Sequence, residues 1–256
     1  MFNLQDYEYF EDINLGLLKY MPHGGKLILD VGCGNGLMGQ INRKNHNVVY
    51  GIEYAPVMKN IALKRLNKFF SEDVTDFKRC KQLLKKYRFD VIVFADVLEH
   101  LYDPVGIVNF YKKFLKKDGR IIISVPNIAV WYARIWLLLG RFNYMTCGTL
   151  DKTHIRFFTK KNLLLLAQYS GLEKEKLDIT PGIARFPLLY FRDFFKGKGK
   201  GINRRGIIDT PYYNFYVKFI YPLEYWFCRL RPEIFAFQYI GVFKKKISTN
   251  HRLVVN

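Results

Sequence analysis

The chain is poor in the features that would place it in several large classes. It has only four cysteines, Cys33, Cys80, Cys147 and Cys228, far apart and without a C-x-x-C pair, which argues against a zinc site or a disulfide framework and suits a reducing compartment. No apolar run reaches the roughly 20 clean residues needed to span a bilayer: Arg134 interrupts Ile128 to Leu139, and Lys218 interrupts Tyr212 to Phe227. The start carries acidic and aromatic residues, Asp6 to Asp12, rather than a basic patch and an apolar stretch, so no signal peptide is expected. No internal repeat is found. Negative charge is also scarce, with 22 Asp and Glu against 41 Lys and Arg.

The excess is uneven. Residues 1–125 hold 19 basic against 14 acidic residues, whereas 126–256 hold 22 against 8. A basic second half favours an anionic partner, whether nucleic acid, an acidic membrane surface or a phosphorylated substrate; a Lys-rich solvated surface is the plainer alternative. Half of the 256 residues are hydrophobic and a quarter charged, which is a folded composition, and the length suits one domain with an elaboration.

Strands and helices alternate along the first half. Lys26 to Val31 reads as a strand followed by glycines and a helix-compatible stretch, Leu37 to Lys44; Asn47 to Glu53 reads as a second strand, and Pro56 opens a helix through Val57, Ile61 and Leu66. Phe89 to Ala95 is a buried-strand run, Pro104 to Leu115 a helix, and Gly119 to Val125 a strand after an Asp118-Gly119 turn. The pattern predicts an α/β fold with a doubly wound, mostly parallel sheet, whose ligands bind beyond the carboxyl ends of the strands. The alternation stops over 126–158, expected to be a lid insertion. It resumes with a helix from Thr159, as N-cap, to Gly171, within a core helix and strand over 159–180. A second insertion over 181–235 is aromatic, basic and expected to be irregular, with a Lys-Gly run at Lys196 to Gly201; 236–244 is the last strand, before a basic tail.

The strongest local signal is Asp30-Val31-Gly32-Cys33-Gly34-Asn35-Gly36 directly after the first strand. Glycines at 32, 34 and 36 let backbone approach a ligand, and the helix that follows offers unpaired N–H groups. A dinucleotide fingerprint wants Gly or Ala three positions after the second glycine; Leu37 stands there, which weakens a nicotinamide reading. Glu53 is placed to accept from ribose hydroxyls. With Asp30, Asp73 and Asp96 it makes an acidic residue recur at the carboxyl ends of successive strands.

This pattern is similar to class I S-adenosylmethionine-dependent methyltransferases, particularly the ubiquinone-biosynthesis O-methyltransferase-like branch, over about residues 20–180. The resemblance lies in the LDVGCGNG run, Gly51-Ile52-Glu53, Asp73-Val74, the segment from Phe89 to Leu98-Glu99-His100, and Gly119 to Asn127. It implies a seven-stranded Rossmann-like sheet with S-adenosyl-L-methionine as methyl donor. Gly32, Gly34 and Gly36, flanked by Asp30 and Cys33, would border its methionine part, Glu53 would hold the ribose, and Asp73 with Val74 would contact the adenine, with Asp96 on the same edge. Asp96, Glu99 and His100 resemble the acidic-x-x-Glu-His arrangement that binds a divalent ion in some ubiquinone-pathway enzymes; a metal-free loop is the alternative.

A hydroxyl acceptor must lose its proton, and His100 is the first candidate base, with a loop-orienting role as its alternative. The insertion, from Trp131 and Arg134 through Gly140-Arg141-Phe142 to Arg156-Phe157-Phe158, resembles the lid of bacterial methyltransferases of surface glycans and small molecules. It offers Tyr144, His154 and Arg156 as acceptor contacts and His154 as a second base, or simply residues that stitch the lid to the core. The expected reaction is methyl transfer to an oxygen, less readily a nitrogen, of a sugar, glycan precursor or small metabolite, free or lipid-linked. Arg185, Arg192, Arg204 and Arg205 among the aromatics of 181–235 suggest peripheral contact between a cytoplasmic protein and an anionic membrane, unless those aromatics only cover the sheet. An RNA methyltransferase and an inactive cofactor-binding scaffold are the alternatives; no nucleic-acid module supports the first.

Overall fold

The computed structural model describes residues 14–145, 147–183 and 215–246. A short helix, α1 (Leu15–Leu18), precedes the alternating units β1 (Leu27–Val31), α2 (Leu37–Lys44), β2 (Val48–Ile52), α3 (Lys59–Arg65), β3 (Lys68–Phe70), α4 (Phe77–Leu84), β4 (Phe89–Ala95), α5 (Pro104–Tyr111) and β5 (Leu115–Pro126). Then come α6 (Trp131–Leu138), α7 (Lys160–Tyr169), β6 (Leu172–Pro181), α8 (Tyr221–Leu230), α9 (Pro232–Phe235) and β7 (Ala236–Lys245).

The seven strands form one sheet in the order β3-β2-β1-β4-β5-β7-β6. β1 to β5 pair in parallel, and β7 runs antiparallel to both β5 and β6. Both faces are covered, as the apolar strands require. Leu29, Val31, Ile92, Phe94, Ile121 and Ile123 enter one core cluster, and Ile28, Val49, Val91, Val93, Ile122 and Ile240 enter the other.

Local chemistry places the helix starts. Thr159 caps α7 by accepting from the Asn162 N–H, and Gly171, at φ +61°, ends it. Asp103 caps α5 with Pro104 in the first turn. Four expectations are corrected. The helix opened by Pro56 starts as a 3-10 turn, Pro56–Met58, before α3, and the one over Pro104–Leu115 ends in another, Lys112–Phe114. β5 begins at Leu115: pairing with β4 jumps from Phe89↔Leu115 to Val91↔Arg120, so Asp118-Gly119 is an excursion inside a strand rather than a turn before it. α4, capped by Asp76, was not foreseen. The described part of the second insertion is helical rather than irregular: a π-helical turn (Tyr216–Ile220) runs into α8, where the aromatic run meets Pro222 in the first turn. Arg185, Arg192, Arg204, Arg205 and the Lys196–Gly201 run lie outside the described residues.

Candidate cofactor and acceptor site

β1 sits between β2 and β4, so connections leave its two sides in opposite directions, and the crevice of a doubly wound sheet opens beyond the carboxyl ends of β1 and β4. The loops carrying the candidate residues flank that point. Gly32 has φ +72°, and a Cβ on it would lie 2.6 Å from Val97 Cγ2, so the β1 and β4 loops touch there and only glycine fits. Gly34 has φ +51° and nothing within 4 Å of where its Cβ would be, which leaves backbone open to a ligand.

Glu53 stands just past β2 and is buried. One carboxylate oxygen accepts from the Gly34 N–H (3.0 Å) and the other from the Ala55 N–H (2.8 Å). The proposed ribose carboxylate is therefore locked to the glycine loop, and each oxygen retains a second lone pair for a hydroxyl. Asp30 is buried beneath this pair. Burial, aided by the Glu53 charge, pushes its carboxyl up to about 7. Cys33 is buried too, and a Cβ at Gly51 would lie 2.5 Å from its sulfur. Asp73 lies three residues past β3, exposed, and accepts from the Thr75 N–H and hydroxyl at 2.7 Å each; Val74 packs in the core.

Across the crevice, Asp96 follows β4 at φ +54°, and its Oδ1 accepts from Gln238 Nε2 (2.8 Å). Gln238 Oε1 in turn accepts from Asn14 and Thr180, joining β4, β6, β7 and the start of α1 in one buried network. None of Gln238, Asn14 and Thr180 was singled out by the sequence. The 3-10 turn Leu98–His100 comes next. The Glu99 side chain is 1 % exposed, and among the described residues neither of its carboxylate oxygens has a hydrogen-bond partner. Burial, with Asp96 and Asp151 nearby, holds its carboxyl well above the ordinary range.

The insertion over 126–158 folds onto this turn. The Ile155 and Arg156 N–H groups donate to the Glu99 carbonyl (3.0 and 2.9 Å), and the Tyr132 and Thr149 hydroxyls meet at 2.9 Å. That closure brings the two candidate bases together, with ring centroids 4.8 Å apart. His154 Nε2 lies 3.9 Å from Glu99 Oε1 while its Nδ1 faces the Thr149 carbonyl; His100 Nδ1 faces the Thr153 carbonyl and hydroxyl. Burial lowers both imidazoles, His154 to about 4 with His100 adding to the effect. Glu99, His100 and His154 can offer ligand atoms within 4.8 Å of one another, and Asp96 is not in that group. Asp151 and Thr153, which order the His154 turn through bonds from the Thr153 N–H and hydroxyl to Asp151 Oδ1, carry a local Asp-x-Thr signal that sequence reading passed over.

The other acceptor candidates sit further out. Arg156 donates twice to the Tyr102 carbonyl, a stitching contact, and Tyr144 is exposed with its ring edge-on to Phe142. A cavity of about 500 Å³ between Asn127, Arg134, Lys160, Gln168, Glu233 and Tyr239 contains none of the candidate residues. Strand topology, not cavity size, locates this site.

A family model described as a methyltransferase domain matches residues 5–177. The chain belongs to the methyltransferase domain family. Among curated proteins it is 29% identical over 187 residues to a ubiquinone biosynthesis O-methyltransferase of Coxiella burnetii, covering 69% of this chain and 76% of that one. A protein of the same name from Idiomarina loihiensis is 29% identical over 170 residues, covering 63% and 68%. Among solved structures, a SAM dependent methyltransferase from Archaeoglobus fulgidus aligns over 90% of this chain and 91% of its own with a TM-score of 0.58 at 18% identity. A putative S-adenosylmethionine dependent methyltransferase from Listeria monocytogenes aligns over 91% and 97% with a TM-score of 0.54 at 15% identity. Family, strand order and loop layout agree: this is a class I S-adenosylmethionine-dependent methyltransferase, with the sheet expected from its sequence.

Proposed function

We propose that this methyltransferase moves the methyl group of S-adenosylmethionine to a hydroxyl oxygen, less readily a nitrogen, of a sugar, glycan precursor or related metabolite. The carrying observation is the pairing of the Gly34–Glu53 cradle on one side of the switch point with the Glu99–His100–His154 cluster on the other. In-line displacement at a sulfonium methyl needs the acceptor held about 3 Å away, so orientation contributes much of the rate. The cradle fixes the donor, and the acceptor's proton leaves at the cluster across the crevice. The relatives named as O-methyltransferases support an oxygen acceptor. Calorimetric titration with S-adenosylmethionine, then mass spectrometry of methylated products from host extract, tests this. Absence of both heat and thermal protection would sink it.

We also propose that the acceptor is met at an anionic membrane surface, and α8 supports this. Its inward face mixes polar and apolar groups: Glu224 accepts from the Ile183 N–H and the Tyr216 hydroxyl, Tyr225 donates to Asp178, and Cys228 is buried in the core. The outward side of α8 and of the π-helical turn before it is largely apolar, with Leu223, Trp226, Phe227 and Leu230 on the helix and Phe215 and Phe219 at the turn exposed beside Lys218 and Arg229. Apolar side chains with basic neighbours suit an acidic lipid interface. Wild-type protein is expected to co-sediment with phosphatidylglycerol-containing vesicles and not with neutral ones, and Leu223→Asp with Trp226→Asp to abolish this. Equal binding to neutral vesicles, or none to either, refutes it.

A further inference from the structure

The cavity of about 500 Å³ beside α7 is used by neither half of the proposed reaction, and its lining is specific. Its floor is the buried Asn127, just past β5, and the buried Tyr239 of β7. Leu164 and Leu165 of α7, with Ala129, make its wall apolar. Three cations stand at its rim: Arg134 from α6, and Lys160 and Lys161 from the first turn of α7. Against them stands a single carboxylate, that of Glu233 on α9, and Lys160 engages it at 2.8 Å. Among the described residues Arg134 donates only to carbonyls, those of Ala129 and Glu233, and Lys161 has no ion pair. First turns of helices favour acidic residues, and that of α7 has none, so its two lysines add to the local positive potential.

A pocket of this size, with apolar walls and a few polar groups at its mouth, takes a small organic ligand rather than a bare ion. A guanidinium and an ammonium without carboxylate partners select an anion, and the planar guanidinium matches phosphate geometry in particular. We infer that this cavity binds a phosphate ester carried on an apolar chain, with the phosphate at Arg134 and Lys161 and the chain against Leu164, Leu165 and Ala129. Its place in the fold gives such a ligand a role. Asn127 and Phe158 pair, and the Ile128 N–H donates to the Phe158 carbonyl, so the two roots of the 126–158 insertion meet beside the cavity. Ser124, three residues before Asn127, pairs with Ala95 at the end of β4, which sets the cavity one strand over from the crevice. On its other side Phe235 of α9 packs against Phe227 on the exposed side of α8, with ring centroids 5.3 Å apart. The cavity thus lies between the proposed membrane face and the crevice, where the phosphate of a lipid-linked acceptor would sit. The inference rests on the proposed methyl transfer for the ligand's role and on the cavity alone for its binding.

The test titrates the full chain calorimetrically with decyl phosphate below its micelle concentration, and separately with inorganic phosphate and decyl maltoside. One equivalent of decyl phosphate is expected to bind, at least about 10-fold more tightly than either of the other two. Lys161→Gln and Arg134→Gln are each expected to weaken it about 10-fold, and Leu164→Trp, which fills the cavity without changing charge, to abolish it. Melting curves confirm that each variant folds; Lys161 is exposed, so its variant carries the test if the tryptophan one does not fold. Leu223→Asp with Trp226→Asp should leave decyl phosphate binding unchanged, and Lys161→Gln should leave co-sedimentation with phosphatidylglycerol vesicles unchanged, which separates an acceptor phosphate from bilayer headgroups. No binding of decyl phosphate, equal binding of inorganic phosphate or decyl maltoside, indifference to both Lys161→Gln and Leu164→Trp, or loss of vesicle binding in Lys161→Gln would overturn the assignment. S-adenosylmethionine calorimetry on the same variants, expected to match wild type, separates that failure from failure of the methyl-transfer reading.

Discussion

The two sides of the crevice are built on opposite plans. On the β1–β2 side the Glu53 carboxylate is satisfied by the Gly34 and Ala55 N–H groups, and the glycine loop keeps positive φ angles at residues 32, 34 and 36. On the β4 side the Glu99 carboxylate has no hydrogen-bond partner among the described residues, only His154 Nε2 at 3.9 Å, and the histidines beside it come from segments 54 residues apart in the chain. One side is preorganised by its own backbone for a ligand of fixed shape. The other holds a buried carboxyl without hydrogen bonds among the described residues, a costly state in a low-dielectric interior.

The largest expected effect falls beneath the preorganised side. Because the Asp30 carboxyl is pushed up to about 7 in the folded chain, above its ordinary value of 3.8, the folded protein binds the proton more tightly than the unfolded one. Its contribution is therefore full below about pH 4 and is lost as pH rises to about 7. This costs at most about 4 kcal/mol. Asp30→Asn is expected to flatten denaturant-derived stability across that window; an unchanged slope would show that Asp30 is ionised throughout. Next, Gly34→Val forces a β-branched residue into a left-handed conformation and closes the open backbone, so S-adenosylmethionine affinity should fall on the order of 100-fold by calorimetry. Wild-type affinity would mean that the cradle is not where the donor sits.

Effects of the opposite sign are expected across the crevice. Glu99→Met replaces a buried carboxyl that lacks a hydrogen-bond partner among the described residues by an apolar side chain of similar size, and should stabilise the protein by about 1–3 kcal/mol in denaturant unfolding. Destabilisation there would erase the contrast between the two sides. The smallest effect belongs to Asn14→Ala, which removes the side-chain cap of α1 and its bond to Gln238. A loss of about 1 kcal/mol is expected in thermal unfolding, with S-adenosylmethionine binding altered less than by Gly34→Val.

Much of the nucleotide half could be read in one dimension because its determinants are local. A short apolar strand such as Leu27–Val31, a glycine run and a strand-end carboxylate each declare themselves within a few residues, and Thr159 and Gly171 bracket α7 by cap chemistry alone. Asp118-Gly119 misled because turn residues also serve excursions within a long strand. The helical course of 215–235 was hidden because helix α8 leaves Leu223, Trp226, Phe227 and Leu230 exposed and buries Glu224, blurring the periodicity by which a helix is ordinarily found.

The sequence by itself determined the sheet class and the methyl-donor family, and it set the glycine loop and Glu53 at neighbouring strand ends, since backbone conformation and strand-end placement depend on neighbours along the chain. Only the tertiary structure decided which acidic residue faces His154. Asp96 and Glu99 are three positions apart, yet long-range contacts turn one to Gln238 on β7 and leave the other beside His154. Those partners lie 142 and 55 residues away, and no local pattern specifies where such distant segments meet.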